Sequence, residues 1–381
     1  MQSPLSPRVN RYSSSLLLTI LCAAVFTTAA ASEPAYLAPG AAEVGGVHHL
    51  CLIYHGQQAR EKWTADALLP YVAYVDQQGA PTDWLFDSFL LLEFATDAGA
   101  SLYHDNGQGP YPTQADWAWL ADAWFRSDTG LAGLEGAMAA AGAALSDEDR
   151  RAGVVLSVPL PQTSIRAFGP LPGSDNTLDF SVPEDRQTAL AWYVDTVRER
   201  FYQQDYAHLK LLGFYWTAEG IRESDNELVE WLARTIHAKG DRFYWIPYFN
   251  APGVDGWQQR GFDAMMLQPN HFFHEDSPPA RLADAARRAL TMGAGVEMEF
   301  DDRAYQSELF RQHFYNYLNA GAKYGWMKGS VHGWYEGGGA IKRMLARPEA
   351  GRQLYDDLAR YVHGDYTPTG QQDLPELPIS R

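Results

Sequence analysis

The sequence predicts an α/β protein built as a single (β/α)8 TIM barrel. Three observations lead there. Short apolar runs alternate with stretches of helical period along most of the chain. No Gly-rich phosphate turn follows the first run, since His55-Gly56-Gln57-Gln58 is a poor match to a dinucleotide fingerprint, and this disfavours the competing open, doubly wound sheet. Two of the runs deliver carboxylates at or near their C-terminal ends, the end at which barrels place their active sites.

The strand candidates, in chain order, are His49–Tyr54, Trp84–Leu91, Gly153–Pro159, Leu211–Thr217, Phe243–Phe249, Ala264–Gln268, Gly295–Phe300 and Tyr324–Gly329. Between them Thr188–Tyr202 carries Leu190, Val194 and Val197 at helical spacing, and Asn226–Ala238 carries Leu228, Trp231, Leu232 and Ile236. Pro279–Met292, Gln306–Ala320 and Ala340–Val362, the last broken near Pro348, continue the alternation. The stretches Phe94–Asp149 and Gln162–Asp185 are irregular in pattern and read as long loops. The barrel is expected to occupy residues 47–364, after a linker at 32–46 and before a disordered Pro-rich tail at 365–381.

Residues 1–31 read as a secretory signal peptide: Arg8 and Arg11 precede the apolar run Leu16–Phe26, and Ala29-Ala30-Ala31 has the small-residue form of a cleavage site. The run is shorter than the ~20 residues a membrane span needs. An exported protein, periplasmic or extracellular, is therefore expected, with no membrane association after cleavage. The 381-residue chain carries a formal charge of −17, from 30 basic and 47 acidic residues. Losing Arg8 and Arg11 but no acidic residue takes the mature chain to −19, which disfavours nucleic acid and anionic lipid as partners. Cys51 alone would remain of the two cysteines, so no intramolecular disulfide is expected.

A strand buried on both faces has no cheap place for an ionisable group, because desolvating a charge costs several kcal/mol or more unless it is paired. Glu219 follows the fourth strand and shares alternation with Tyr215 and Thr217. On the seventh, Glu297, Glu299 and Asp301 share one parity and Val296, Met298 and Phe300 the other, so the acids are expected to face the barrel axis and the apolar set the helices. Two positions along a strand span ~6.6 Å. Glu299 is then the acid nearer the mouth and Glu297 the deeper one, a partner or alternate to it.

Paired carboxylates at a barrel mouth fit glycoside hydrolysis. Other candidate substrate-binding groups at strand ends are Tyr54, His55, Asp87, Trp216, Trp245, Tyr248, Asn250, Gln268, Asn270, Trp334 and Glu336. Together they suit a polyhydroxylated ligand that stacks on aromatic faces. No metal or other cofactor is expected. His48 and His49 are adjacent and point to opposite faces, His271 and His274 read as one loop, Gly329-Ser330-Val331-His332-Gly333 puts its serine in the wrong place for a nucleophile elbow, and Gly337-Gly338-Gly339 reads as a flexible loop.

The segments Phe214-Tyr215-Trp216-Thr217-Ala218-Glu219, Phe243-Tyr244-Trp245-Ile246-Pro247-Tyr248-Phe249 and Val296-Glu297-Met298-Glu299-Phe300-Asp301 resemble the domain-of-unknown-function family numbered 4855, over about Val47 to Gly364. That resemblance implies a secreted bacterial, glycosidase-like barrel and a carbohydrate substrate. The two glutamates also resemble the acid/base and nucleophile of the large clan of retaining barrel glycosidases, which makes Glu219 the acid/base and Glu299 the nucleophile. Ala218 departs from that clan, many members of which place there an Asn that contacts the sugar 2-hydroxyl; Asn250 is a candidate for that contact. The expected function is thus a secreted retaining glycoside hydrolase acting on a poly- or oligosaccharide. The alternatives are a barrel that binds glycan without hydrolysing it, a polysaccharide lyase of the cell envelope, or a purely structural envelope protein.

Overall fold

Residues 1, 34–105, 107–368 and 374–377 are described by the structure, a computed structural model. The leader read at residues 1–31 therefore lies, all but Met1, outside the described residues. Eight parallel strands close into a barrel: β1 (His49–Tyr54), β2 (Ser88–Leu92), β3 (Ala152–Val158), β4 (Leu209–Trp216), β5 (Arg242–Trp245), β6 (Ala264–Leu267), β7 (Gly295–Glu299) and β8 (His332–Tyr335). Each pairs with its neighbours in chain order, and β1 closes the ring against β8. The helices Pro183–Gln203, Asn226–His237, Ala280–Met292, Glu308–Tyr324 and Pro348–Val362 lie between or after strands as the periodicity predicts.

Alternation along the strands sorts side chains into two cores. Leu50, Leu52, Leu90, Leu92, Val155, Tyr244, Ile246 and Met266 fill the barrel interior. Cys51, Ile53, Phe89, Leu91, Trp216, Trp245, Val296, Met298 and Trp334 pack outward among the helices. Truncating a buried Trp of this outer layer to Ala is expected to cost about 3–5 kcal/mol.

A bulge resets this alternation in β4. Val154 pairs with Leu211 and Val155 with Gly213, so Leu212 and Tyr215, three residues apart, both join the inner core. Gly213 has φ +156°, and a methyl group there would sit 1.9 Å from Arg242 O. The bulge therefore requires Gly, and it sets the face on which Tyr215, Thr217 and Glu219 emerge. Gly213→Ala is expected to destabilise the fold by ~3 kcal/mol or more, measured by denaturant unfolding. A stability equal to wild type would show that the bulge does not need Gly.

Four expectations are corrected. Tyr324–Gly329 is not a strand: the helix Glu308–Tyr324 ends there on Gly325 in the left-handed region, and a short helix follows at Trp326–Gly329. The eighth strand is His332–Tyr335, and a short apolar run cannot by period alone be told from a helical turn. Phe94–Asp149 is not merely a loop, because it holds the helices Gln114–Trp124 and Leu131–Leu145. The latter is so rich in Ala and Gly that it shows little apolar periodicity.

The described part of the expected linker, residues 34–46, is packed against the barrel's N-terminal end. Val44 is fully buried in the inner core, Leu37 bridges Ala294 O and Val331 N–H, and Tyr244 O–H donates to Val44 O. The apolar floor of a barrel needs a cover, and this segment supplies it. In the expected tail, Tyr366 and Leu374 are buried, and Lys323 Nζ and the Tyr324 hydroxyl donate to the carbonyls of Leu374 and Pro375. These described tail residues dock on the end of the helix Glu308–Tyr324. Among the described residues no helix is long and apolar enough to cross a membrane.

Candidate active site

Glu299 is the last residue of β7, and Glu219 stands three residues beyond β4, so both carboxylates reach the C-terminal mouth. They line one cavity of about 420 Å3 together with Glu297, Tyr215, Gln268 and Asn270. Pro247, which has no N–H, follows β5 closely, and Tyr248 beyond it is exposed. Gln268, just past β6, is held by Ile246 O at 3.1 Å and donates to Glu219 Oε1 at 3.3 Å. Gly333 pairs with Glu297 across β7 and β8; a methyl there would meet Ile246 Cδ1 at 3.3 Å and Glu297 Cγ at 3.5 Å. The glycine leaves room for a buried acid inside the barrel.

The three acids have different surroundings. Glu299 Oε2 accepts from the Tyr317 hydroxyl and, at 2.8 Å, from the Asn270 N–H. Asn270 takes φ +53° to aim that N–H, a conformation Asn tolerates better than most residues. Glu297 is buried and accepts no hydrogen bond from any described residue. Burial, and then the charges of Glu299 and Glu219, push its carboxyl well above the usual range. Burial also raises Glu299, but its donors oppose the shift. Even with these donors Glu299 is raised to about 7, and Glu297, which lacks them, holds its proton to higher pH than Glu299, because hydrogen bonds stabilise the ionised form only where they exist. Burial raises Glu219 too, partly offset by Gln268.

A chain of aromatic rings faces the acids. Phe94, Tyr54, Tyr335 and Phe273 meet edge to face in that order, with centroids 5.3, 5.8 and 5.4 Å apart. The Arg60 guanidinium lies 5.0 Å over the Tyr54 ring and is tied to Glu93 by two hydrogen bonds. On the far side of Glu219 a second cavity, of about 380 Å3, is lined by Tyr103, Asp105, Gln162, Arg222 and Tyr248 among others. Phe94 of the first cavity stacks on Tyr103 of the second at 4.4 Å. Glu219 thus stands between two lobes that share an aromatic wall. Such a cleft can bind a polar ligand with apolar faces between two carboxyl groups, Glu219 and Glu299, that burial raises. Among the described residues no group of three or more His, Cys, Asp or Glu side chains is placed to hold a metal ion.

The family described as Domain of unknown function (DUF4855) matches residues 49–360. The chain belongs to that family. Among solved structures, a mutant tryptophan synthase alpha-subunit from the hyperthermophile Pyrococcus furiosus aligns with a TM-score of 0.38 and 11% identity, covering 86% of this chain and 98% of that one. A second mutant of the same subunit gives 0.37 and 10%, with the same coverage. Likenesses at this level carry no information about activity, and the barrel is shown by the strand pairing itself. No curated protein matches the chain.

In this DUF4855 member the structure gathers Glu219, Glu297, Glu299, Tyr54, Gln268 and Asn270 around the first cavity and Tyr248 at the second. It places the other predicted residues elsewhere. Trp216, Trp245 and Trp334 are fully buried on the outward face, one position out of phase with Tyr215, Ile246 and Tyr335, and their indoles are packing groups. His55 is likewise out of phase with Tyr54, and its Nε2 lies 2.9 Å from Ala123 O beside Trp124. Asp87 precedes β2 at the opposite end of the barrel, where it accepts from the N–H groups of His48 and His49. Asn250 is exposed and accepts from Arg288, so it does not replace the Asn that Ala218 lacks. Glu336 is buried outside both cavities, accepting from Tyr71 and the N–H groups of Gly339 and Ile341. Burial raises its carboxyl to about 7.

Sequence reasoning missed Tyr317, Arg60, Phe94, Tyr103 and Phe273. Four of these sit in loops, where period carries no information about facing. Tyr317 lies on the inner face of the helix Glu308–Tyr324, where a tyrosine reads as ordinary core.

Proposed function

We propose that this protein is an exported glycoside hydrolase that cleaves a poly- or oligosaccharide by a retaining, two-carboxylate mechanism. The observation that carries this reading is the pairing of Glu219 and Glu299 across one cavity, Glu219 a carboxyl that burial raises and Glu299 a carboxyl that accepts from Tyr317 and Asn270. The aromatic chain from Phe94 to Phe273 offers the apolar faces on which sugar rings stack. Export is supported by the leader-like sequence at residues 1–31.

In the first step a Glu299 oxygen attacks the anomeric carbon while the bond to the leaving oxygen breaks, and the Glu219 proton passes to that oxygen. The Glu219 carboxylate then takes a proton from water, whose oxygen attacks the same carbon and releases Glu299. Glu297, raised by burial and by its neighbours' charges, stays neutral throughout, so the site never carries three charges. The sugar being cleaved lies in the lobe with Glu297 and Glu299, and the leaving group lies beyond Glu219, toward Tyr103 and Tyr248.

The test is incubation of the purified protein with a panel of polysaccharides, with proton NMR on the first products. New reducing ends of the substrate's own anomeric configuration are expected. Products ending in unsaturated sugars would instead mark a lyase, and binding without products a non-hydrolytic barrel.

Tyr317→Phe removes the hydroxyl that holds Glu299 ionised, a change that raises the Glu299 pKa. The acidic limb of the profile of kcat/KM against pH is therefore expected to move to higher pH, with about a tenfold lower kcat. An unmoved acidic limb would mean that Glu299 is not the group that must be ionised.

A further inference from the structure

A third cavity, of about 460 Å3, adjoins the first: Tyr54 and Arg60 line both, and Glu219 lines the first but not the third. Its remaining walls are Ala59, Glu61, Lys62, the backbone turn at Gly337 and Gly338, and Arg343. Three cations therefore line it against one carboxylate, in a chain whose formal charge is −17. Glu61 is itself paired with Lys342 at 2.8 Å.

The cations retain hydrogen-bonding capacity. Arg60 uses Nε and Nη2 on Glu93, and Arg343 uses Nε on Asp302 and Nη1 on Gly338 O. Arg60 Nη1, Arg343 Nη2 and Lys62 Nζ make no hydrogen bond to any described residue. Lys62 has no carboxylate partner among the described residues and is exposed. Glu93 and Asp302 orient two of the guanidinium groups without using all their donors. Such a set of positioned N–H groups matches the oxygens of an anion better than the hydroxyls of a neutral sugar.

The order of the lobes matters as much as their charge. The leaving-group lobe, Glu219, the lobe with Glu299 and the cationic lobe follow one another, joined by Glu219 at one boundary and by Tyr54 and Arg60 at the other. A chain threading them in sequence places the sugar next to the cleaved one, on its non-reducing side, among Arg60, Lys62 and Arg343. We propose that this lobe binds the acidic group of that sugar, a carboxylate or a sulfate ester, and that the substrate is an acidic polysaccharide. The lobe order rests on the hydrolase reading; the anion site does not.

The test uses the full-length Glu219→Gln protein, which spares the ligand, and isothermal titration with polygalacturonate, alginate and a sulfated galactan. Each is paired with its carboxyl-reduced or desulfated counterpart, so the two arms separate uronate from sulfate. The expected result is that at least one acidic polymer binds about tenfold or more tightly than its neutral counterpart, the scale of one charge-assisted contact. Adding Lys62→Glu, an exposed change that leaves the Glu93 and Asp302 pairs intact, is expected to collapse that ratio toward one. Equal binding of every acidic and neutral pair, or a ratio untouched by Lys62→Glu, overturns the proposal. Wild-type digestion of the same polymers separates the two readings. Selective binding that depends on Lys62 but yields no products leaves the anion site standing and the hydrolase reading fallen. Hydrolysis of neutral polymers alone, indifferent to Lys62, does the reverse.

Discussion

Glu219→Gln is expected to lower kcat on an unactivated glycan by about 10²–10⁴-fold, the usual contribution of a positioned general acid. Glu299→Gln is expected to lower it further, because in the proposed mechanism Glu299 forms the bond to the anomeric carbon and an amide cannot replace it as nucleophile. Glu297 lies deeper and is held neutral by burial and by its neighbours' charges. The two sites separate on aryl glycosides whose leaving group needs no proton. There Glu219→Ala keeps the first step, and added azide should give a glycosyl azide of the substrate's own anomeric configuration. Glu299→Ala with azide should give the opposite configuration, since the anion then attacks from the vacated side in a single displacement. Unchanged activity in both Gln variants sinks the hydrolase reading, and the same azide stereochemistry in both Ala variants reverses or removes the assigned roles.

Glu297→Gln is expected to make the protein more stable as the pH rises. The folded state holds the Glu297 proton well above the ordinary carboxyl value of 4.5. Above that value the unfolded chain ionises while the folded chain does not, so wild type loses stability with rising pH until the folded-state pKa is passed. Gln has no proton to lose, and Glu297 accepts no hydrogen bond from a described residue that the change would break. Glu299 and Glu336, also raised by burial, are present in both proteins, so the comparison isolates position 297 and its coupling to Glu299. The gain in melting temperature should be small near about pH 4 and reach a few degrees near about pH 8, on the order of 1–3 kcal/mol. A variant less stable than wild type across that range would show that the Glu297 carboxyl is tied into the core after all. Activity is expected to fall in the same variant. An acid retained at a cost in stability is what a functional site would show.

The acids of β7 were legible because charge marks the inner face. Glu297 and Glu299 alternate with Val296 and Met298, and a buried strand can reconcile that pattern only by turning the acids to a polar mouth. In β5 the pattern is silent: Phe243, Tyr244, Trp245 and Ile246 are apolar on both faces, so nothing in the string says that Trp245 faces the helices. The same silence misplaced Trp216 and Trp334. Asp87 failed for a different reason. The strand begins one residue later, which moves that carboxylate from the wall to the opposite end of the barrel.

What the sequence by itself determined is the barrel and the two strands that carry its acids, because both follow from local period and from the cost of burying charge. Tertiary structure alone decided which of the two β7 carboxyls receives hydrogen bonds. Tyr317 reaches Glu299 from a helix 18 residues along the chain, and Asn270 from a loop 29 residues before it. It also decided that Glu219 divides a cleft, and that Arg60, Lys62 and Arg343 meet at one end of it. A residue's ionisation and facing depend on neighbours that only folding supplies, and no local pattern records them.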